Sequence, residues 1–257
     1  MKSLIKPLIK PLIFILWLSS GSIAQAKADE AIIAVAANFT GVAKLLRSQF
    51  EKTTGHRLKI SYGSTGKLYA QIENGAPYDV FLAADSARPI KAINQGLAVA
   101  DTRFVYAKGQ LALWSAKQDL FESGPEYLRK AAFKHIALAN PKTAPYGMAA
   151  MQVMQKLGLA SSLGDRLVQG DSIAQTFQFV TTGNSEAGFI AYSQLIGWKG
   201  EQGSSWLIPA EYYEPIEQSA VLLEKGRSNQ AARAFLDFLK SSPVARERIR
   251  QFGYGVE

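Results

Sequence analysis

Four short stretches of this chain place small, hydroxyl or amide residues where an apolar strand runs into a helix. They are Ala36-Ala37-Asn38-Phe39-Thr40, Gly63-Ser64-Thr65-Gly66, Pro145-Tyr146-Gly147 and Gly170-Asp171-Ser172-Ile173. The chemistry open to such junctions is anion capture. A helix N-terminus leaves backbone N–H groups unpaired and carries partial positive charge. Hydroxyl, phenol and amide side chains add further donors. Almost no charged side chain lies inside the four junctions, which points to an anion held by neutral donors.

Each junction also has a plainer reading. Asn38 alone is an ordinary helix cap, worth about 1 kcal/mol, and Tyr146 alone is a tyrosine closing a turn. Ile173 can offer only its backbone N–H. Ser64-Thr65-Gly66-Lys67 matches the S-x-x-K nucleophile motif of penicillin-recognising hydrolases. The partner motifs are missing, since there is no S-D-N and Lys142-Thr143-Ala144 lacks the glycine of K-T-G. The Walker A spacing is absent as well. His56 and His135 are the only histidines and stand far apart, and there is no cysteine. No metal-ligand spacing and no nucleophile–histidine–acid set is present. We therefore assign no catalytic residue, no metal ligand and no cofactor. Asp85, just after a strand, reads as structural.

The elements that must position these junctions alternate. Strands are expected at 31–37, 58–62 and 80–83, with helices at 42–50, 68–72 and 89–94 between and after them. Strands at 104–107 and 111–115 flank Lys108-Gly109. Beyond them come a helix at 127–132, a strand at 135–139, a helix at 149–157, a short strand at 167–168, a helix at 173–181 and a strand at 187–191. Strands at 206–208 and 216–222 and helices at 230–239 and 244–251 complete the chain, with a polar loop at 198–205. Continuous apolar runs such as Ala31 to Ala37 suit strands covered on both faces. The alternation predicts an α/β fold with mostly parallel sheets, in two lobes with a cleft between them.

The first 26 of the 257 residues read as a cleaved secretory signal peptide: Lys2, Lys6 and Lys10, an apolar run from Leu12 to Leu18, then Ala24-Gln25-Ala26. Three of the eight net positive charges lie in this segment, which leaves +5. That mild excess suits steering of anions. With no Lys/Arg run, nucleic acid is not expected as a partner. Stability without cysteine must come from the core.

Several segments together resemble the periplasmic molybdate-binding proteins of ABC transporters. They include Ala34-Val35-Ala36-Ala37-Asn38-Phe39, Ser61-Tyr62-Gly63-Ser64-Thr65-Gly66-Lys67, the stretch from Gln71 to Phe81, Asn140-Pro141 to Gly147, Gly188-Phe189-Ile190 and Tyr212-Tyr213-Glu214-Pro215-Ile216. The resemblance implies the type II periplasmic-binding fold. Lobe 1 is then expected from residues 27–107 plus 211–257, and lobe 2 from 108–210, with Tyr212-Tyr213 on the return crossover. It implies a monomer that captures molybdate or tungstate in the periplasm and delivers it to the membrane permease of an ABC importer. The alternatives are a binding protein for another oxyanion such as sulfate, or an exported S-x-x-K hydrolase. The resemblance carries the oxyanion donors onto Asn38 with Ala37, Thr65 with Ser64, Tyr146, and the N–H of Ile173. Many relatives hold a ligand-binding tyrosine where this chain has Ala191. Tyr192, one residue later, would face the other side of a strand. Tyr146 is therefore expected to supply the phenol.

Overall fold

The computed structural model describes residues 29–256. The expected signal peptide lies outside the described residues. The elements in chain order are β1 (Glu30–Ala36), a 3₁₀ turn (Ala37–Phe39), α1 (Thr40–Thr54), β2 (Arg57–Gly63), α2 (Thr65–Glu73), β3 (Val80–Leu82), α3 (Ala87–Asn94) and β4 (Phe104–Gly109). The chain then builds β5 (Leu111–Ser115), α4 (Gly124–Lys130), β6 (Ile136–Ala139), α5 (Pro145–Lys156), β7 (Leu167–Gly170), α6 (Ile173–Thr181), β8 (Ala187–Ala191), α7 (Tyr192–Ile196) and β9 (Ser204–Leu207). It returns through β10 (Ile216–Leu222) and ends on α8 (Gln230–Ser241) and α9 (Pro243–Gln251).

The strands form two five-stranded sheets, ordered β2-β1-β3-β10-β4 and β7-β6-β8-β5-β9. Each contains a parallel trio, β2-β1-β3 in one and β7-β6-β8 in the other. Each trio is extended by two strands in antiparallel pairing. The parallel trios are the βαβ alternation read from the sequence. The antiparallel strands are those that carry the chain between the sheets. β4 ends at Gly109 and β5 begins at Leu111, so the first crossing is one residue long.

Burial on both faces explains the apolar runs. Ile33 and Val35 pack on one side of the first sheet with Leu46, Phe50 and Phe235. Ala34 packs on the other with Leu68, Phe81 and Val221. In the second sheet Leu111 and Leu113 face α5, while Ala112 and Trp114 face Phe177 and Trp198. Each such Leu or Phe, fully buried, stabilises by about 1.5–3 kcal/mol. Gly55 ends α1 in the left-handed conformation at φ 75°, which a side chain would strain. Among the described residues, no helix is long and apolar enough to cross a membrane.

Two local expectations shift. The polar loop gives up Ser204 and Ser205 to β9, because Ser204 Oγ accepts the Leu120 N–H at 2.8 Å and ties that edge down. The short helix α7 was not foreseen. The Gln194 side chain accepts the Ala191 N–H at 3.0 Å and starts the turn there.

Candidate functional site

All four junctions lie at the C-terminal ends of strands in the parallel trios, after β1, β2, β6 and β7. That is where open α/β sheets present their helix N-termini to a ligand. The two sheets meet at these ends. The Gly66 N–H donates to the Thr143 carbonyl at 2.8 Å, Arg88 Nη2 to the Lys142 carbonyl at 3.0 Å, and Ser193 Oγ to the Asn38 carbonyl at 3.1 Å. Ala36, Ala37 and Ala84 from the first lobe share one buried cluster with Tyr146, Ala191 and Ile173 from the second. The junctions are thus brought together.

At the first junction the 3₁₀ turn leaves the N–H groups of Ala37 and Asn38 without intrahelical partners. The side chain of Asn38 behaves differently from expectation. Its Nδ2 donates to Gln218 Oε1 at 2.9 Å and to the Tyr254 hydroxyl at 3.0 Å. Both amide hydrogens are spent inside the protein. What Asn38 retains for a ligand is its backbone N–H.

At the second junction Thr65 is 1% exposed, and its Oγ1 accepts the Ala84 N–H at 3.0 Å. The hydroxyl hydrogen is left to donate elsewhere. Ser64 caps α2 by position but not by side chain. Its buried Oγ has no hydrogen-bond partner among the described residues. An unpaired buried hydroxyl costs about 1–3 kcal/mol, so Ser64 has a free donor and acceptor where a ligand would supply the partner. Thr143 Oγ1, on the opposite lobe, is in the same condition.

At the third junction Tyr146 occupies the first turn of α5 and is 1% exposed. Its hydroxyl accepts from Gln218 Nε2 at 3.3 Å. Burial, then the neighbouring Tyr254, Tyr106 and Tyr213 hydroxyls, pushes its pKa well above 10. The phenol stays protonated and keeps its hydrogen to donate. At the fourth junction the Ser172 hydroxyl accepts the Gln175 N–H at 3.3 Å. This cap leaves the Ile173 N–H, at the first position of α6, without a helical partner.

The site draws on residues that the sequence reading passed over. Gln218 bonds Asn38, Tyr106 and Tyr146. The Tyr254 hydroxyl bonds the Asn38 carbonyl and Ser193 Oγ, both at 2.9 Å. One signal was available for Gln218: a glutamine inside an apolar strand must find partners if it is buried. Tyr192 packs with Trp114 and Trp198 on the far face, away from the cluster that holds Ala191. Tyr213 accepts the Leu111 N–H at 3.1 Å beside the crossover.

Charge is kept to the mouth. Lys67, which follows the second junction, and Asp171, the one charged residue inside the fourth, pair across the lobes at 2.8 Å. Lys67 is thereby held by a carboxylate and not set as a base for Ser64. Asp85 accepts the Arg88 N–H at 3.0 Å and pairs with its guanidinium, a structural role. The cavity of about 370 Å³ at the lobe interface is lined by Arg88, Lys142, Met148, Gln152 and Glu217 among others, and not by the junction donors. Among the described residues, no group of three or more His, Cys, Asp or Glu could hold a metal ion.

The model of the family described as "Bacterial extracellular solute-binding protein" matches residues 31–255. The chain belongs to this family. It is 53% identical over 233 residues to the molybdate-binding protein ModA of Azotobacter vinelandii, covering 90% of this chain and 92% of that one. The molybdate-binding protein ModA of Rhodobacter capsulatus is 50% identical over 232 residues, with 90% of each chain covered. Among solved structures, the Azotobacter vinelandii periplasmic molybdate-binding protein superposes with a TM-score of 0.84 at 42% identity, over 88% of this chain and 99% of that one. As a member of the solute-binding family the chain has two α/β lobes about a cleft, and the four junctions line the ends of both parallel trios.

Proposed function

We propose that this protein is a periplasmic solute-binding protein that captures molybdate and hands it to the permease of an ABC importer. The observation that carries this is the identity of about half of all aligned positions to two molybdate-binding proteins, over nine-tenths of the chain. The donor chemistry agrees with it. The ligand-facing groups are the N–H of Ala37, Asn38 and Ile173, the hydroxyls of Ser64 and Thr65, and the phenol of Tyr146. These are neutral and can all donate. A fully deprotonated dianion satisfies such a set; a protonated anion would present a donor where only donors wait. Tungstate, with the same charge and shape, is a second ligand of this cage. Tyr146 fills the place of the tyrosine that relatives carry at the position of Ala191. Ala191 lies in the same buried cluster as Tyr146, which supports the substitution of one phenol for the other.

The protein works as a monomer whose lobes close over the anion by hinge motion. Residues 27–107 plus 211–257 form the first lobe and 108–210 the second. It reaches the periplasm through a signal peptide at residues 1–26, needs no cofactor and catalyses no reaction. Calorimetry of the purified mature protein tests the ligand. Molybdate and tungstate should bind at least a hundredfold more tightly than sulfate or phosphate. Tight sulfate binding with none of molybdate would discard the proposal.

A further inference from the structure

We propose that Gln218 sets the direction in which the Tyr146 phenol donates, and so acts as a positioning residue for oxyanion capture. This rests on the reading of Tyr146 as a ligand donor. Gln218 is fully buried in the middle of β10, where the pairing with β4 slips between Gln218 and Ser219. Its Oε1 accepts twice, from Asn38 Nδ2 at 2.9 Å and from the Tyr106 hydroxyl at 3.0 Å. The Asn38 amide nitrogen, which also donates to Tyr254, and the Tyr106 hydroxyl, closer to Gln218 than to the Ala83 carbonyl at 3.3 Å, both face this atom and mark it as the oxygen. The amide nitrogen must then face the other way, where it meets the Tyr146 hydroxyl at 3.3 Å. A phenol has one hydrogen. Because its oxygen is accepting from an amide, that hydrogen is directed away from Gln218, toward the side where the Tyr254 hydroxyl is its neighbour and an anion can compete for it.

The rest of the surroundings holds this arrangement. A Cβ at Gly109 would lie 2.1 Å from the Tyr146 hydroxyl and 2.8 Å from Gln218 Nε2, so only glycine leaves room for the pair. Asn38 is fixed in turn by Tyr254, which bonds both its side-chain nitrogen and its carbonyl. The polarity therefore runs from the Asn38 amide, which donates to Gln218, through Gln218, which donates to Tyr146, and the last hydrogen is offered to the ligand. If Gln218 merely filled space in β10, exchanging its donor for an acceptor would leave the Tyr146 contribution untouched.

Gln218→Glu makes that exchange. One carboxylate oxygen still accepts from Asn38 and Tyr106, and the other draws the phenol hydrogen away from the anion. Molybdate affinity by calorimetry should fall at least about thirtyfold, against about tenfold for Tyr146→Phe. In the Tyr146→Phe background the Gln218→Glu change should cost markedly less than in the wild type. A buried carboxylate can upset folding, so Tyr106→Phe is the second variant. It removes one of the two donors that orient the Gln218 oxygen while leaving the charge unchanged. Affinity should fall about two- to fivefold in a variant that still unfolds cooperatively, and with no further loss once Tyr146 is Phe. Multiplicative effects of the Gln218 and Tyr146 changes overturn the proposal. So does wild-type affinity in both Gln218→Glu and Tyr106→Phe while Tyr146→Phe is weakened. Wild-type affinity in Tyr146→Phe itself removes the phenol from the ligand, and overturns the site reading along with this one.

Discussion

The two lobes are built on one strand plan and equip it differently. β1, β2 and β3 stand in the first sheet as β6, β7 and β8 stand in the second, with β10 and β5 running antiparallel beside them. Asn38 and Tyr146 thus follow corresponding strands, as do Thr65 and Ile173. The first lobe offers short donors close to its own backbone: two N–H groups of a 3₁₀ turn and the hydroxyls of Ser64 and Thr65. The second offers one N–H and one long phenol. That phenol is bonded across the cleft to Gln218 of β10, which belongs to the first sheet. The difference teaches that a shared scaffold fixes where donors stand and leaves open how far each must reach. The lobe with the long reach has its donor's direction set by its partner.

The largest effect should come from closing the space through which that phenol reaches. Gly109→Ala would put a methyl group 2.1 Å from the Tyr146 hydroxyl. Overpacking of this kind typically costs 1–3 kcal/mol. Together with a lost donor it should weaken molybdate binding by about 3 kcal/mol in calorimetry. The backbone donor of the same lobe can be removed on its own. Ile173 is the first residue of α6, where proline is tolerated, and Ser172 before it is already extended at φ −151° and ψ 166°. Ile173→Pro should keep the helix by circular dichroism and lose about 1.5–3 kcal/mol of binding, whereas Ile173→Ala should lose little. In the first lobe Thr65→Ala should cost about 1–3 kcal/mol. If Thr65→Ala binds as wild type, the Thr65 hydroxyl is not among the donors of the first lobe.

Smaller effects lie at the mouth. Lys67 and Asp171 are about half and more than half exposed, so their pair should contribute under about 1 kcal/mol. Lys67→Ala should speed molybdate release slightly, and the effect should vanish in high salt. Affinity should also be flat from pH 6 to 9, because the Tyr146 phenol ionises only well above its ordinary value of 10. The sign for stability follows from the same burial. Tyr254 is raised to about 12, with Tyr106 and Tyr146 also raised. Their contribution is complete below pH 10, where unfolded tyrosine is still protonated, and drains as pH climbs toward 12. The melting midpoint should hold to pH 9 and fall beyond 10.

Much of the fold was legible because local signals agreed with it. Gly55, Gly75, Gly96 and Gly158 all adopt positive φ at helix ends, as their places after apolar periodic runs suggest. Ile173–Thr181 buries Ile173, Thr176 and Val180 at helical spacing, and Ile216–Leu222 is buried at all but one position of its strand. Helix α7 was not legible, since Phe189-Ile190-Ala191-Tyr192 continues an apolar strand pattern and the stop depends on one side-chain bond from Gln194. At the site, sequence shows which junctions precede helices and which residues can donate. It does not show where hydrogens are spent. Asn38 looks like a side-chain donor until Gln218 and Tyr254 take both of its amide hydrogens. Those partners stand 180 and 216 residues away. No local pattern could connect them.

That separation has a consequence for timing. The Tyr254 hydroxyl holds Asn38 and Ser193, and Gly255 exchanges backbone bonds with Lys108 at 2.7 and 2.9 Å. The pairing that closes the circuit joins β1 and its turn to residues more than two hundred positions further along the chain. A folding chain can have β1 and its turn in hand before the segment that orders Asn38 has reached them. Its lobes can begin to collapse from local contacts, while the long-range closure comes last. The pocket therefore comes of age only when the far segments have met, so a partly folded chain has nothing with which to seize its cargo.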